Sequence, residues 1–182
     1  MLVCMPLSTR TSIATASGVV VAVLAVAAGL LGALSTNGMN ALHRAADLGS
    51  VGAIKFIGGQ GVDLDVRSEV ITQGHGHPRD RGSSALGIAA RAGQLEAVET
   101  LLFLGASVDA LSASGHSPLL LAVFSGHSPE VVAALLEAGA DPGIEASCEA
   151  GGCSVEAGNA LHWARLLNEP EMVLLLEGAV QG

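Results

Sequence analysis

The chain has 182 residues, half of them apolar, with 24 glycines, three phenylalanines, one tryptophan and no tyrosine. That apolar share excludes a predominantly disordered chain, and the shortage of rings argues against a thick sheet sandwich and for thin helices that approach closely. Eight basic against 17 acidic residues give a formal charge of −9, which excludes binding driven by neutralising a nucleic-acid backbone.

The first predicted element is a hydrophobic helix. No Asp, Glu, Lys or Arg lies between Arg10 and Arg44, and residues 13–34 contain only Thr15 and Ser17 as polar members. Twenty-two such residues suffice to cross a bilayer core of about 30 Å. Two readings fit. One is a secretory signal peptide, with Ala33-Leu34-Ser35 as the small-residue cleavage site and a released chain from Thr36. The other is an uncleaved anchor. Positive charge precedes the segment and none follows for nine residues, so both orient the chain with its N-terminus inside and the remainder exported across the inner membrane. The domain boundary is thus expected near residue 35, with 36–182 as the folded part.

The rest of the chain repeats itself, and periodicity is the first thing to seek in such a sequence. Four starts match: Asn40-Ala41-Leu42-His43-Arg44-Ala45-Ala46, Ser84-Ala85-Leu86-Gly87-Ile88-Ala89-Ala90, Ser117-Pro118-Leu119-Leu120-Leu121-Ala122-Val123 and Asn159-Ala160-Leu161-His162-Trp163-Ala164-Arg165. Each opens with Ser or Asn, which cap helices by accepting from free backbone N–H groups. Gly49, Gly93 and Gly126 end the first three short helices, where a left-handed residue is required, and Asn168 holds that place in the fourth. Amphipathic runs follow at 51–57, 95–104, 131–136 and 172–176. Three close on a glycine and an acid: Gly61-Val62-Asp63, Gly105 to Asp109, and Gly139-Ala140-Asp141. The last closes early, on Gly178-Ala179, and reads as a terminal cap with a shortened helix.

This pattern resembles the ankyrin repeat family, with its T-P-L-H-x-A-A start, turn glycine and leucine-rich second helix before G-A-D. The resemblance covers about residues 40–179. It implies an all-α solenoid of four helix-turn-helix repeats, stabilised by stacking of neighbours. Small Ala45, Ala89, Ala122 and Ala164 fit such stacking. The starts are spaced by 44, 33 and 42 residues against a family period of 33, so two long hairpin-loop insertions are expected, at about 66–82 and 143–158. Insertions of this kind project from one face, often the binding face. The resemblance gives His43 and His162 a structural role, tying loops together through the imidazole. It also implies protein binding through the inner helices and hairpin tips.

Carried over by position, the residues before each turn are Asp47 and Leu48, Arg91 and Ala92, Phe124 and Ser125, and Leu166 and Leu167. With Arg79 and Arg81 of the first loop they form the candidate protein-binding surface. In the second loop Cys148 and Cys153 are four residues apart, and in an oxidising compartment such a pair reads as a disulfide. Cys4 precedes the apolar segment.

No catalytic signature is present: phosphate-binding glycine motifs, H-E-x-x-H and serine-nucleophile patterns are absent. His75 and His77 form an H-x-H pair, but no further ligand stands at metal spacing, and a glycine-rich turn accounts for them. No cofactor and no metal are expected. The function expected is a non-catalytic, exported interaction module, guarding or inhibiting a periplasmic enzyme or toxin; the alternative is a membrane-tethered scaffold held by residues 13–34. From Thr36 onward the chain carries seven basic and 17 acidic residues, a net −10 that suits a basic protein partner.

Overall fold

The inner helices begin where a short polar side chain can replace the missing preceding turn. Ser84 Oγ accepts from Gly87 N–H at 3.2 Å, Ser117 Oγ from Leu120 N–H at 3.2 Å, and Asn159 Oδ1 from His162 N–H at 3.0 Å. Each bond satisfies one of the four N–H groups that a helix start leaves open. The computed structural model describes residues 41–68, 82–126, 128–146 and 158–180, and among them it has eight helices and no strand. They are α1 (Ala41–Asp47), α2 (Val51–Gly58), α3 (Ala85–Arg91), α4 (Leu95–Phe103), α5 (Pro118–Ser125), α6 (Pro129–Glu137), α7 (Ala160–Leu166) and α8 (Pro170–Val180). The apolar segment 13–34, Arg79, Arg81, His75, His77, Cys148 and Cys153 lie outside the described residues.

Left-handed residues end the helices as the repeat pattern predicts. Gly49, Gly93 and Gly126 have φ of 66°, 69° and 63°, and Asn168 takes the same conformation at φ 58°. The backbone closes in the six-to-one, five-to-two pattern: Gln94 N–H donates to Ala89 O and Gly93 N–H to Ala90 O, while Glu169 N–H donates to Ala164 O and Asn168 N–H to Arg165 O. Asn substitutes for glycine because its short side chain tolerates this region better than other side chains do.

The helices form two layers. Helices α1, α3, α5 and α7 pack in that order, as do α2, α4, α6 and α8, and each first-layer helix packs on its successor in sequence. Leu42, Leu86 and Leu119 of the first layer and Ile57, Leu101, Leu135 and Leu176 of the second are buried at equivalent positions. Ala45, Ala89, Ala122 and Ala164 are buried between first-layer helices, and their small size permits the close approach. Each fully buried Leu contributes about 1.5–3 kcal/mol of apolar transfer.

The terminal helix corrects the sequence expectation. Rather than being shortened, α8 runs eleven residues and passes through Gly178 to Val180. Pro170 takes a first-turn position, where its missing N–H costs nothing. Gly178 does not stop the helix, since a glycine terminates one only when the chain turns left-handed there.

Three connections link successive pairs, and the bonds at their bases are equivalent. Ser68 N–H donates to Ser83 O at 3.0 Å, Ser112 N–H to His116 O at 2.9 Å and Ala146 N–H to Gly158 O at 3.1 Å. Each donor stands seven residues beyond a closing glycine (Gly61, Gly105, Gly139), and each acceptor immediately precedes a capping residue. The base bonds enclose 14, three and 11 residues respectively. Most of the two longer stretches, 69–82 and 147–157, where the insertions are expected, lies outside the described residues. Relative to the middle connection they add eleven and eight residues. These, with one extra position before Pro129, account for starts 44 and 42 apart.

Candidate protein-binding surface

The turns after the first-layer helices carry the residues that sequence placed on the binding surface. Several of them bind each other instead. Arg91 Nη2 donates to Asp47 Oδ1 at 2.9 Å, bridging neighbouring pairs, and Gln94 Nε2 reaches Asp47 O at 3.4 Å. Both charged side chains stay partly exposed, at 30% for Arg91 and 42% for Asp47. Phe124 is half-buried between two rings, edge-on to His116 at 5.5 Å and to Trp163 at 4.9 Å between centroids. Ser125 Oγ donates to Ala122 O at 2.7 Å, and Ala92 is half-buried. The most exposed of these positions are apolar: Leu48 is 73% exposed, Leu166 60% and Leu167 43%. Arg79 and Arg81 fall outside the described residues.

Two rings secure the bases of the long connections. His43 is buried and its Nε2 lies 2.9 Å from Val66 O. Burial holds its pKa below the ordinary 6.5, opposed by the backbone groups of Val66 and Ser83, so the neutral ring is favoured. The imidazole therefore ties down the entry and exit of the first long loop. Trp163 does the corresponding work at the second, where its Nε1–H donates to Gly158 O at 3.1 Å. His162 departs from the expected role: it is exposed, with its ring edge-on to Trp163 at 5.7 Å. At the same repeat position the other pairs have buried His43, Gly87 and Leu120; the outward face of α7 has no following helix to bury His162 among the described residues.

Acids also bind between pairs. Asp65 Oδ1 accepts from Ser107 N–H at 2.9 Å and Asp109 Oδ1 from Asp141 N–H at 3.1 Å. Asp65 and Asp109 both stand four residues after a closing glycine; counting from that glycine, not seeking the nearest acid, identifies Asp65 over Asp63. Among the described residues, Phe103 and Leu174 are, with Leu48, the most exposed large apolar side chains, and the sequence did not mark them: Phe103 is 87% exposed at the end of α4, and Leu174 71% on α8. Leu174 aligns with the exposed Glu99, a signal that was present in the repeat register.

Among the described residues no group of His, Cys, Asp or Glu could hold a metal ion, and no helix is long and apolar enough to cross a membrane. A family model for ankyrin repeats (3 copies) matches residues 68–146 and 86–180, together more than half of the chain.

Proposed function

The chain belongs to the ankyrin repeat family and is a protein–protein interaction module, and from that premise we propose a non-catalytic, exported module of four repeats. The first repeat is α1 with α2, which precede the matched residues and pack on α3 and α4 as later pairs pack on one another. Residues 1–35 direct export to the periplasm, and Cys148 and Cys153 close a disulfide there. Both cysteines lie within the eleven-residue loop whose base joins Ala146 to Gly158.

The observation that carries the binding role is the exposure of Leu48, Leu166 and Leu167 on turns of a framework whose neighbouring polar groups are already paired. Leu166 and Leu167 are adjacent, and exposed apolar clusters mark contact sites. Arg79 and Arg81 of the first loop extend this surface, and the acidic balance selects a basic protein, such as an enzyme or toxin that the module restrains. A second reading has residues 13–34 uncleaved and the same repeats acting as a membrane-tethered scaffold; it is favoured by the 22-residue uncharged stretch.

Intact mass of the natively expressed protein, from separated cell fractions with and without reductant, distinguishes them. The expected species is soluble, exported, starts near Thr36 and gains about 2 Da on reduction, two hydrogens for one disulfide. Retention of residues 1–35 in the membrane fraction selects the scaffold, and a cytosolic chain with free thiols removes the export reading. Partner capture from the exported fraction by Leu48→Ser/Leu166→Ser/Leu167→Ser then tests the surface, with loss of the partner expected.

A further inference from the structure

Helices α4, α6 and α8 contain no lysine or arginine, and their outward side is lined by glutamates. They are consecutive neighbours in the second layer, so equivalent positions form rows across them. Glu96, Glu130 and Glu171 occupy one exposed row in the first turn. The next row reads Glu99, Ala133 and Leu174, and the last Phe103, Glu137 and Gly178.

A first-turn glutamate has an ordinary purpose, since it complements the positive end of the helix dipole. That accounts for the first row alone. Glu137 stands in the last turn of α6, where the dipole disfavours an acid. Phe103 and Leu174, at 87% and 71% exposed, are in water with no fold-level return. Glu177 is set apart, because Arg165 Nη2 donates to its Oε1 at 2.6 Å.

Packed helices lie about 8–10 Å apart, which puts Phe103 and Leu174 about 20 Å from each other across α6. Between them α6 presents Ala133, half-buried and small. Two apolar anchors separated by a low middle and framed by acids complement one kind of ligand. A helix of about 14 residues spans about 20 Å, and an amphipathic one with Lys or Arg beside its apolar stripe matches both the anchors and the charge. We infer that the outward face of α4, α6 and α8 is a second docking surface, whose occupant is a basic amphipathic helix of a partner protein seated on Phe103 and Leu174. The inference rests on the reading of the chain as a protein-binding module and places a contact on the layer opposite the turn surface proposed above.

The test uses the full chain and a labelled helical peptide of about 14 residues, with leucines along one face and lysines elsewhere. Fluorescence anisotropy is followed beside a twin peptide bearing glutamate in place of lysine. Saturable binding of the lysine peptide alone is expected, weakened at least about tenfold by Phe103→Ser/Leu174→Ser and by Glu130→Lys/Glu137→Lys. Leu48→Ser/Leu166→Ser/Leu167→Ser leaves it unchanged. Far-UV circular dichroism and Trp163 fluorescence confirm that each variant is folded. All the substituted positions are on the surface. Absence of saturable binding overturns the inference. So does binding that ignores Phe103→Ser/Leu174→Ser, which is diffuse attraction to a negative protein, or binding lost in the turn variant, which belongs to the other surface. The natural partner is not used, so failure here leaves the capture result for the turn surface standing by itself.

Discussion

His43 shows how one side chain links the fold to its surface. Its ring is buried against Val66 O at the entry of the first long loop. Removing it leaves that carbonyl without its donor and opens a void. His43→Ala is expected to cost about 1–3 kcal/mol in urea denaturation. The pH dependence follows from the direction of its shift. Burial lowers the folded-state pKa below 6.5, so on acidification the unfolded chain takes up the proton first. The stabilisation is complete above about pH 6.5 and is lost as pH falls through the folded-state value. Comparing denaturation midpoints from pH 7.5 downward, His43→Gln should show a smaller decline below pH 6.5 than the parent chain. A parallel decline would assign the acid sensitivity elsewhere.

At the scale of elements, helix ends carry the information that local sequence holds best. Ser117 caps α5 through Leu120 N–H, and Ser117→Ala is expected to lower stability by about 0.5–2 kcal/mol. Glycines separate into two groups. Gly178 sits inside α8 with nothing within 4 Å of an added Cβ, so Gly178→Ala should stabilise the protein by about 0.5–1 kcal/mol. Gly82 has φ of 64°, and a Cβ there would fall 2.6 Å from that of Ala113. Gly82→Ala should therefore destabilise, since both the backbone conformation and the contact with the next hairpin oppose it. Thermal melts of the two variants should move in opposite directions; a common direction would show that one of these backbone assignments is wrong. Gly178 also marks where reading glycine as punctuation fails: a residue that permits a left-handed turn does not impose one.

In the whole molecule, stability resides between pairs as much as within them. Ala89 is buried where α3 meets its first-layer neighbours α1 and α5, and a larger side chain there must push them apart. Ala89→Leu is expected to cost about 1–3 kcal/mol. In a stack coupled by nearest neighbours, that interface is also where cooperativity fails first. Trp163 is the only tryptophan and is buried in α7 against Phe124 of α5. Its fluorescence therefore reports the far end of the stack, while circular dichroism reports all helices. The two unfolding curves should coincide in the parent chain and separate in Ala89→Leu. Coincidence in both would mean that the stack unfolds as a single unit.

The repeat register, the capping Ser and Asn residues and the left-handed turns were legible from sequence because each depends on contacts within a few residues. The all-helical class followed from the same local regularity together with the scarcity of aromatic residues. Asn168 shows how specific that local information is, since the position is readable even where glycine is replaced. Pairing between distant residues was not legible. That Asp47 and Arg91 bind each other, that Phe124 is held between His116 and Trp163, and that Asp65 receives Ser107 depend on how the pairs stack. Exposure was decided in the same way. Leu48 and Phe124 look alike as apolar residues before a turn, yet Leu48 is in water while Phe124 has a tryptophan beside it. Local sequence determines which backbone each segment adopts, because dihedral preference and capping act over one turn. Only the tertiary structure decides which side chains are left over for a partner, because that depends on what each neighbour has already covered.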